Sequence, residues 1–480
     1  MELILLITIL IAAALINISV KNRIVIEFLS VGASIVAFLG STIIALKVSD
    51  FGIYSPSVFF SVDSLGAIVM LIIALVGLAA TVYSVQYLRR ETAQNIIGFT
   101  RVKQYFVLLD LFLAAMFLAV TTSNPIFAWI SIEATTLSTA FLISFYNKPA
   151  AMEAAWKYLI INSIGLLLGF LGTLLYFTYV NSLPGNGFAD WQLLTATAAY
   201  LNPALAKIAF IFVLIGYGTK IGLAPMHTWL PDAHSKAPIP ISALLSGVLL
   251  NVAFIVMLRF KLITDASIGP DFSRQLLIVF GLLSVVVASL INFTQKNYKR
   301  LLAYHSIENM GIATLGFGFG GLGVYAAMLH IIYHALIKSA LFLSSGIIFL
   351  KYGSTRIAKV RGIITTLPVT GVLFLIGFFI ITGTPPFGMF FTKILVFSAG
   401  IKTYPTVTIV ALFSAAILFI SFFHHATTMV FGKKPPEINR GKENAWLTFP
   451  PLVLIAVVFY LSFSLPPFLY KLITNAVLQY

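Results

Sequence analysis

The run PALAKIAFIFVLIGYGTKIGLAPMHTWLPDAHSKAPIPISALLSGVLLNVAFIVMLRF, residues 203–260, contains two apolar stretches, 203–233 and 238–260. A helix needs about 20 apolar residues to cross the hydrocarbon core of a bilayer, and each stretch supplies them. The first is interrupted by Gly222 and Pro225, with Lys220 just before the break. A broken span frees backbone groups that must be buried in protein or line a wet cavity. Two membrane spans, one of them broken beside a charge, set the terms for the rest of the chain.

The same pattern extends in both directions. Charge clusters and turn signals divide the chain into fourteen candidate helices: 2–20, 24–47, 63–87, 104–122, 124–146, 154–180, 203–233, 238–260, 272–294, 298–317, 321–350, 364–399, 403–431 and 446–471. The twelfth is also interrupted, by Gly383, Pro385, Pro386 and Gly388. Of 480 residues, 60% are hydrophobic and 9% charged, and the mean hydropathy is +1.01. A soluble domain of this size needs more polar surface, so lipid is the solvent. The fold class is all-α: a polytopic membrane protein forming one domain over 1–480. The first segment, Leu3 to Val20, has no basic leader or cleavage signal and reads as a retained span.

Composition also excludes chemistry. No cysteine is present, which rules out disulfides, thiolate-held iron–sulfur clusters and cysteine zinc sites. Seven histidines show no compact metal spacing, and no glycine-rich phosphate loop follows a strand. We expect no metal, no cofactor and no catalytic residue here. The net charge of +15 does not indicate nucleic acid, because the basic residues lie in short loops between spans. The odd-numbered loops hold 19 of the 30 lysines and arginines, among them Arg89, Arg90, Lys148, Lys236, Lys299 and Arg300. The even loops and outer ends hold seven: Lys47, Lys207, Arg259, Lys261, Arg274, Lys402 and Lys471. By the positive-inside rule the odd loops are cytoplasmic and both termini face outside a cell membrane.

Four lysines remain inside spans: Lys157, Lys220, Lys338 and Lys393, with Glu133, Asp110 and Glu308 as acidic counterparts. A charge at the bilayer centre costs about 2.5–3.5 kcal/mol on insertion scales. Lys157, near the cytoplasmic start of its helix, is equally compatible with snorkelling, and Asp110 with a structural polar contact. Lys220 and Lys393 each lie beside a helix break. A lysine that approaches and leaves a glutamate is a switchable proton site, because burial favours both neutral forms and proximity restores both charges. His330, His334 and Lys338, at i, i+4 and i+8, share one helical face, and histidine suits relay positions.

An internal offset recurs. Lys220 and Lys393 are 173 positions apart, Lys157 and Lys338 are 181 apart, and Ser131-Ile132-Glu133 returns as Ser306-Ile307-Glu308 at 175. This points to two five-helix units, approximately 104–260 and 272–431. An odd number of spans inverts the second relative to the first, an arrangement found in ion-translocating folds.

These residues meet a known family at this point. Tyr217 to Gly247 (YGTKIGLAPMHTWLPDAHSKAPIPISALLSG), Lys299 to Gly311 (KRLLAYHSIENMG) and His330 to Gly346 (HIIYHALIKSALFLSSG) resemble the antiporter-like membrane subunits of respiratory complex I and membrane-bound [NiFe] hydrogenases. The likeness covers nearly the whole chain. Ile132 to Leu137 with Glu153 to Tyr158 looks most like component F of hydrogenase-4. The resemblance implies fourteen helices in two inverted repeats, with Glu133 as the essential glutamate of the fifth helix and Lys220 as its lysine partner. It further implies a central axis through Lys338, His330 and His334, Lys393 near the outer exit, and His227 and His234 around the seventh-helix break. Where pumping members carry a lysine on the eighth helix, this chain has Asn251, which cannot carry a proton at neutral pH; water or His305 would have to bridge the gap.

The function expected is translocation of H+, or Na+, driven by redox chemistry in partners. Those partners would be other antiporter-like subunits and a hydrophilic arm of [NiFe]-hydrogenase-like large and small subunits with iron–sulfur proteins. A stand-alone Na+/H+ antiporter, an organic-substrate transporter and a structural anchor with a vestigial channel remain alternatives.

Overall fold

In a computed structural model, residues 2–180 and 189–480 are described. Twelve helices among them are long and apolar enough to cross a membrane. The expected tenth span is the helix Tyr298–Phe319, of 22 residues; the expected twelfth is two short apolar helices, Pro368–Thr382 and Gly388–Ile401. The chain is therefore a polytopic α-helical membrane protein. One small hairpin, Tyr54–Ser57 against Phe60–Val62, joins the second and third helices.

Helix starts are set by capping side chains. Asn22, Asp63, Asn124, Asn202, Asn297 and Asn444 each accept a backbone N–H from the first turn that follows. Such caps satisfy donors that have no partner inside the helix. Both broken spans end their first half in the same way. Gly222 and Gly383 adopt left-handed φ of 80° and 81°. Their N–H groups donate to Thr219 and Ile380, while those of Leu223 and Thr384 donate to Gly218 and Phe379. This paired cap returns partners to carbonyls that lipid would leave bare.

Two helices lie at the centre. Leu322–Tyr352 and Ile239–Ile268 are buried over their most apolar stretches, whereas the first two helices and Pro405–Phe431 are mostly open to the surroundings. Lipid is as apolar as leucine, so helices here associate through close packing and polar contacts. Glycine permits that closeness where Pro149–Tyr176 crosses Pro203–Ile221: a Cβ on Gly216 would stand 2.4 Å from Gly169 Cα. A second such crossing brings Gly281 to Gly311, where a Cβ would meet the opposing carbonyl at 2.9 Å.

Three expectations need correction. Arg259 and Lys261, assigned to an outer loop, lie within the helix Leu250–Ile268 and are buried. Arg259 Nη2 pairs with Asp63 at 3.2 Å, and Lys261 pairs with Asp265. Carboxylates at that end of the bundle offset both charges, so the helix runs on past residue 260. Lys299, counted among loop charges, is also buried. The last expected span, 446–471, breaks after Phe463 and resumes as Pro467–Val477, because Pro466 and Pro467 provide no N–H to continue the first helix.

Candidate functional site

The first broken span places Lys220 in the last turn before Gly222. Its amine is fully buried and donates to Thr136 Oγ1 at 2.8 Å and to Tyr158 OH at 2.7 Å. The Tyr158 hydroxyl also bonds Thr139 at 2.6 Å. Trp229 fixes the far side, packing edge-on against Tyr158 and donating Nε1 to the Thr219 carbonyl at 2.8 Å. Glu133 stands one turn along from Thr136 on the helix Pro125–Ile143. Ser163 donates to its Oε1 at 2.8 Å, and its Oε2 is buried without a partner. The expected Glu133–Lys220 contact is thus open in this structure: each holds neutral partners, and no ion pair joins them among the described residues. Hydroxyls of Thr136 and Tyr158 take up the amine in place of the carboxylate.

The second broken span does carry an ion pair. Lys393 Nζ lies 3.1 Å from Glu308 Oε1, with the carboxylate fully buried. The amine also reaches the Thr382 carbonyl, at the end of the preceding half-helix, at 3.5 Å. Cations are favoured at that carbonyl-rich end. Asn309 donates to the other Glu308 oxygen at 2.6 Å and contacts His305 Nδ1 at 2.6 Å. His330 Nδ1 bonds Thr392 at 2.9 Å, one residue from Lys393. Glu308, Asn309 and Thr392 complete this cluster; Glu308 was visible in the sequence as the repeat of Glu133, whereas the other two gave no signal.

Lys338 lies between. Its amine is fully buried and donates to the Leu302 carbonyl at 2.5 Å. His334, one turn away, has both ring nitrogens buried and unpartnered, as has His234, stacked on Phe342 at 4.8 Å. His227 leaves Nδ1 unpartnered and faces Tyr304. Asn251 follows a π-helical turn, Leu245–Leu249. Its Nδ2 donates to Gly247 and its Oδ1 is unpartnered. Gly247 itself is pressed against the central helix, where a Cβ would lie 2.6 Å from the Ala335 carbonyl. A π turn inside an α-helix commonly marks a functional position.

Lys157 stands apart from this row. Its side chain is 50% exposed and pairs with Glu153 at 2.5 Å and Asp232 at 3.8 Å. Asp110 is buried with Ser30 at 2.7 Å and Asn17 at 3.3 Å, remote from the broken helices. Among the described residues, no three histidine, aspartate or glutamate side chains gather as a metal would require.

Buried polar atoms without partners are rare in folded proteins. Among the described residues His234, Asn251, His305, His330 and His334 each keep at least one such atom, around two lysines and one ion pair. Such a row is able to pass protons between groups whose charge depends on small displacements.

A family model described as NADH:quinone oxidoreductase/Mrp antiporter matches residues 122–419, and one for the complex I chain 5 N-terminus matches residues 49–95. A hydrogenase-4 component F homolog from Methylacidiphilum infernorum is 38% identical over 375 residues, 78% of each chain. A chain of the membrane-bound sulfane sulfur reductase, an archaeal respiratory membrane complex, superposes with a TM-score of 0.86 at 22% identity, over 99% of this chain and 97% of that one. A chain of the Mrp complex from Dietzia gives 0.86 at 19% identity, over the same shares.

Proposed function

This chain belongs to the antiporter-like membrane subunits of the NADH:quinone oxidoreductase/Mrp family, and from that premise we propose that it moves protons across the cell membrane for a redox enzyme assembled around it. The observation that carries this reading is the row from Lys220 to Lys393: buried amines beside buried imidazoles whose ring nitrogens are short of partners. Lipid penalises each such group, and among the described residues no metal-ligand cluster accounts for them.

In the proposed cycle, Lys220 alternates between the observed seat on Thr136 and Tyr158 and a second seat on Glu133. On Glu133 the amine meets an acidic partner; on the hydroxyls it has only neutral ones, so the swing changes how well a lysine charge is held. That swing pushes a proton along Asn251, with water or His305 bridging, and through Lys338, His334 and His330. Lys393, parting from Glu308, releases it outward. The two broken spans act as counterparts in units 104–260 and 272–431, inverted relative to each other, with both termini outside. Redox reactions in a hydrophilic arm of [NiFe]-hydrogenase-like and iron–sulfur subunits would set the position of the first lysine. Neighbouring antiporter-like subunits would complete the membrane part.

The test uses proteoliposomes containing the full chain, an imposed potential and an internal pH dye. Lys220→Ala and Lys393→Ala should each abolish proton uptake. Wild-type rates in both variants would end this reading. A mild-detergent pull-down with mass spectrometry tests the partners: recovery of the chain alone would favour a stand-alone antiporter.

A further inference from the structure

Lys299 occupies an unusual position for a residue in a basic loop sequence. It opens the helix Tyr298–Phe319, is 3% exposed, and its amine donates to a single protein acceptor, the Ala237 carbonyl, at 2.7 Å. No carboxylate lies within ion-pair distance among the described residues. An ammonium has three donors, so two are left for water. The side chain lines a cavity of about 200 Å³, together with Tyr87, Tyr146, Lys148, Lys236 and Thr355. At about 30 Å³ for each water, that space admits a cluster of several molecules.

The helix that carries Lys299 also meets the row. One turn along the helix from Lys299, about 4.5–5.4 Å, the Leu302 carbonyl accepts Lys338 Nζ. His234, with both ring nitrogens unpartnered, stands one turn before Ala237, whose carbonyl holds Lys299. On the cavity wall the Tyr87 and Tyr146 hydroxyls meet at 3.1 Å, and Tyr146 donates to Glu91 Oε1 at 2.6 Å. Glu91 is 1% exposed and its second oxygen has no partner. The groups facing Lys299 are therefore one buried carboxylate behind two tyrosines, one neutral-capable imidazole, one buried lysine inward and two exposed lysines at the mouth.

We propose that Lys299 is the proton-loading residue on the side of the basic loops. Its amine takes a proton from hydronium in the cavity, leaving water, and becomes ammonium. The ammonium then gives that proton, past His234, to the Lys338 amine and returns to the neutral form. Glu91 balances the charge while Lys299 is loaded. Among the described residues no three carboxylate or histidine side chains gather beyond Lys148 and Lys236 as a hard cation would need. Protons enter by hydrogen-bond exchange and need no such cluster, and H+ is the ion an amine can carry. This rests on the translocation reading above and narrows it.

The cysteine-free sequence permits a direct test in proteoliposomes holding the full chain. Lys299→Cys should slow proton uptake about 100-fold, the scale on which a positioned proton carrier contributes. Treatment with 2-aminoethyl methanethiosulfonate, which rebuilds an amine at that position, should restore it. Lys299→Arg keeps the charge and the fold, yet holds its proton permanently, so it should remain blocked. A membrane-impermeant quaternary ammonium reagent should reach the cysteine from the basic-loop side only. Wild-type uptake in Lys299→Cys or Lys299→Arg, or labelling from the opposite side, would overturn the proposal while leaving translocation standing. A wild-type chain that moves no protons would remove the translocation reading and this proposal with it.

Discussion

Replacing Lys393 by methionine removes one half of a buried ion pair and leaves the other in place. At 3.1 Å and an effective dielectric near 20, the attraction is about 5 kcal/mol. Desolvation takes back part of this, and breaking buried pairs by removing one partner typically costs about 3–5 kcal/mol. Lys393 keeps 11% of its side chain exposed, which admits some water to the orphaned carboxylate. Asn309 also continues to donate to Glu308 at 2.6 Å. Both effects place the expected loss at the lower end, about 3 kcal/mol. Glu308→Gln made on top should recover most of it, because a neutral pair of similar shape leaves no buried charge. The assay is equilibrium unfolding of the purified chain in SDS, followed by tryptophan fluorescence, as a double-mutant cycle over positions 308 and 393. A coupling of about 2 kcal/mol or more is expected. Lys471–Asp50, with side chains 58% and 60% exposed, serves as the control in which no coupling should be resolved. If the two changes at 308 and 393 were additive within about 0.5 kcal/mol, the pair would not hold this part of the structure together, and the reasoning would be refuted.

Lys220→Met should behave in the opposite way: with no carboxylate in contact, removing the amine should leave stability unchanged or raised in the same SDS titration while proton uptake is lost. Gly216→Ala forces a Cβ to 2.4 Å from Gly169 and should destabilise by about 1–3 kcal/mol, with a shift in tryptophan emission as Trp229 moves. Lys157→Ala removes a half-exposed pair and should keep proton uptake within about twofold of wild type, since such pairs contribute little. Asp110→Asn retains a polar group able to meet Ser30 and Asn17, and uptake in proteoliposomes should be unchanged.

The resemblance-based assignment of an essential pair shows where reading a sequence stops. Glu133 and Lys220 were recognisable as charges inside spans because no loop could claim them. Which carboxylate each lysine touches depends on the rotation of helices about their axes and on competing hydroxyls. Thr136 and Tyr158 hold Lys220, and such neutral partners carry no signature in a list of charges. The same limit explains Lys299: next to Arg300 it reads as loop charge, and only the packing of Ala237 over it makes it a buried amine.

By itself the sequence determined the solvent, the approximate spans, the two breaks at Gly222 and Gly383, and the placement of His330, His334 and Lys338 on one face. These follow from local rules: the length of an apolar helix, the left-handed backbone that glycine allows, and the 3.6-residue period. Tertiary structure decided the rest. It set Glu308 against Lys393, withheld Glu133 from Lys220, carried Arg259 and Lys261 inside the bundle beside Asp63 and Asp265, and left Lys157 at the surface. Contact between residues far apart in sequence depends on how helices cross, and those crossings are set by glycines and hydroxyls whose effect appears only when both partners are in place.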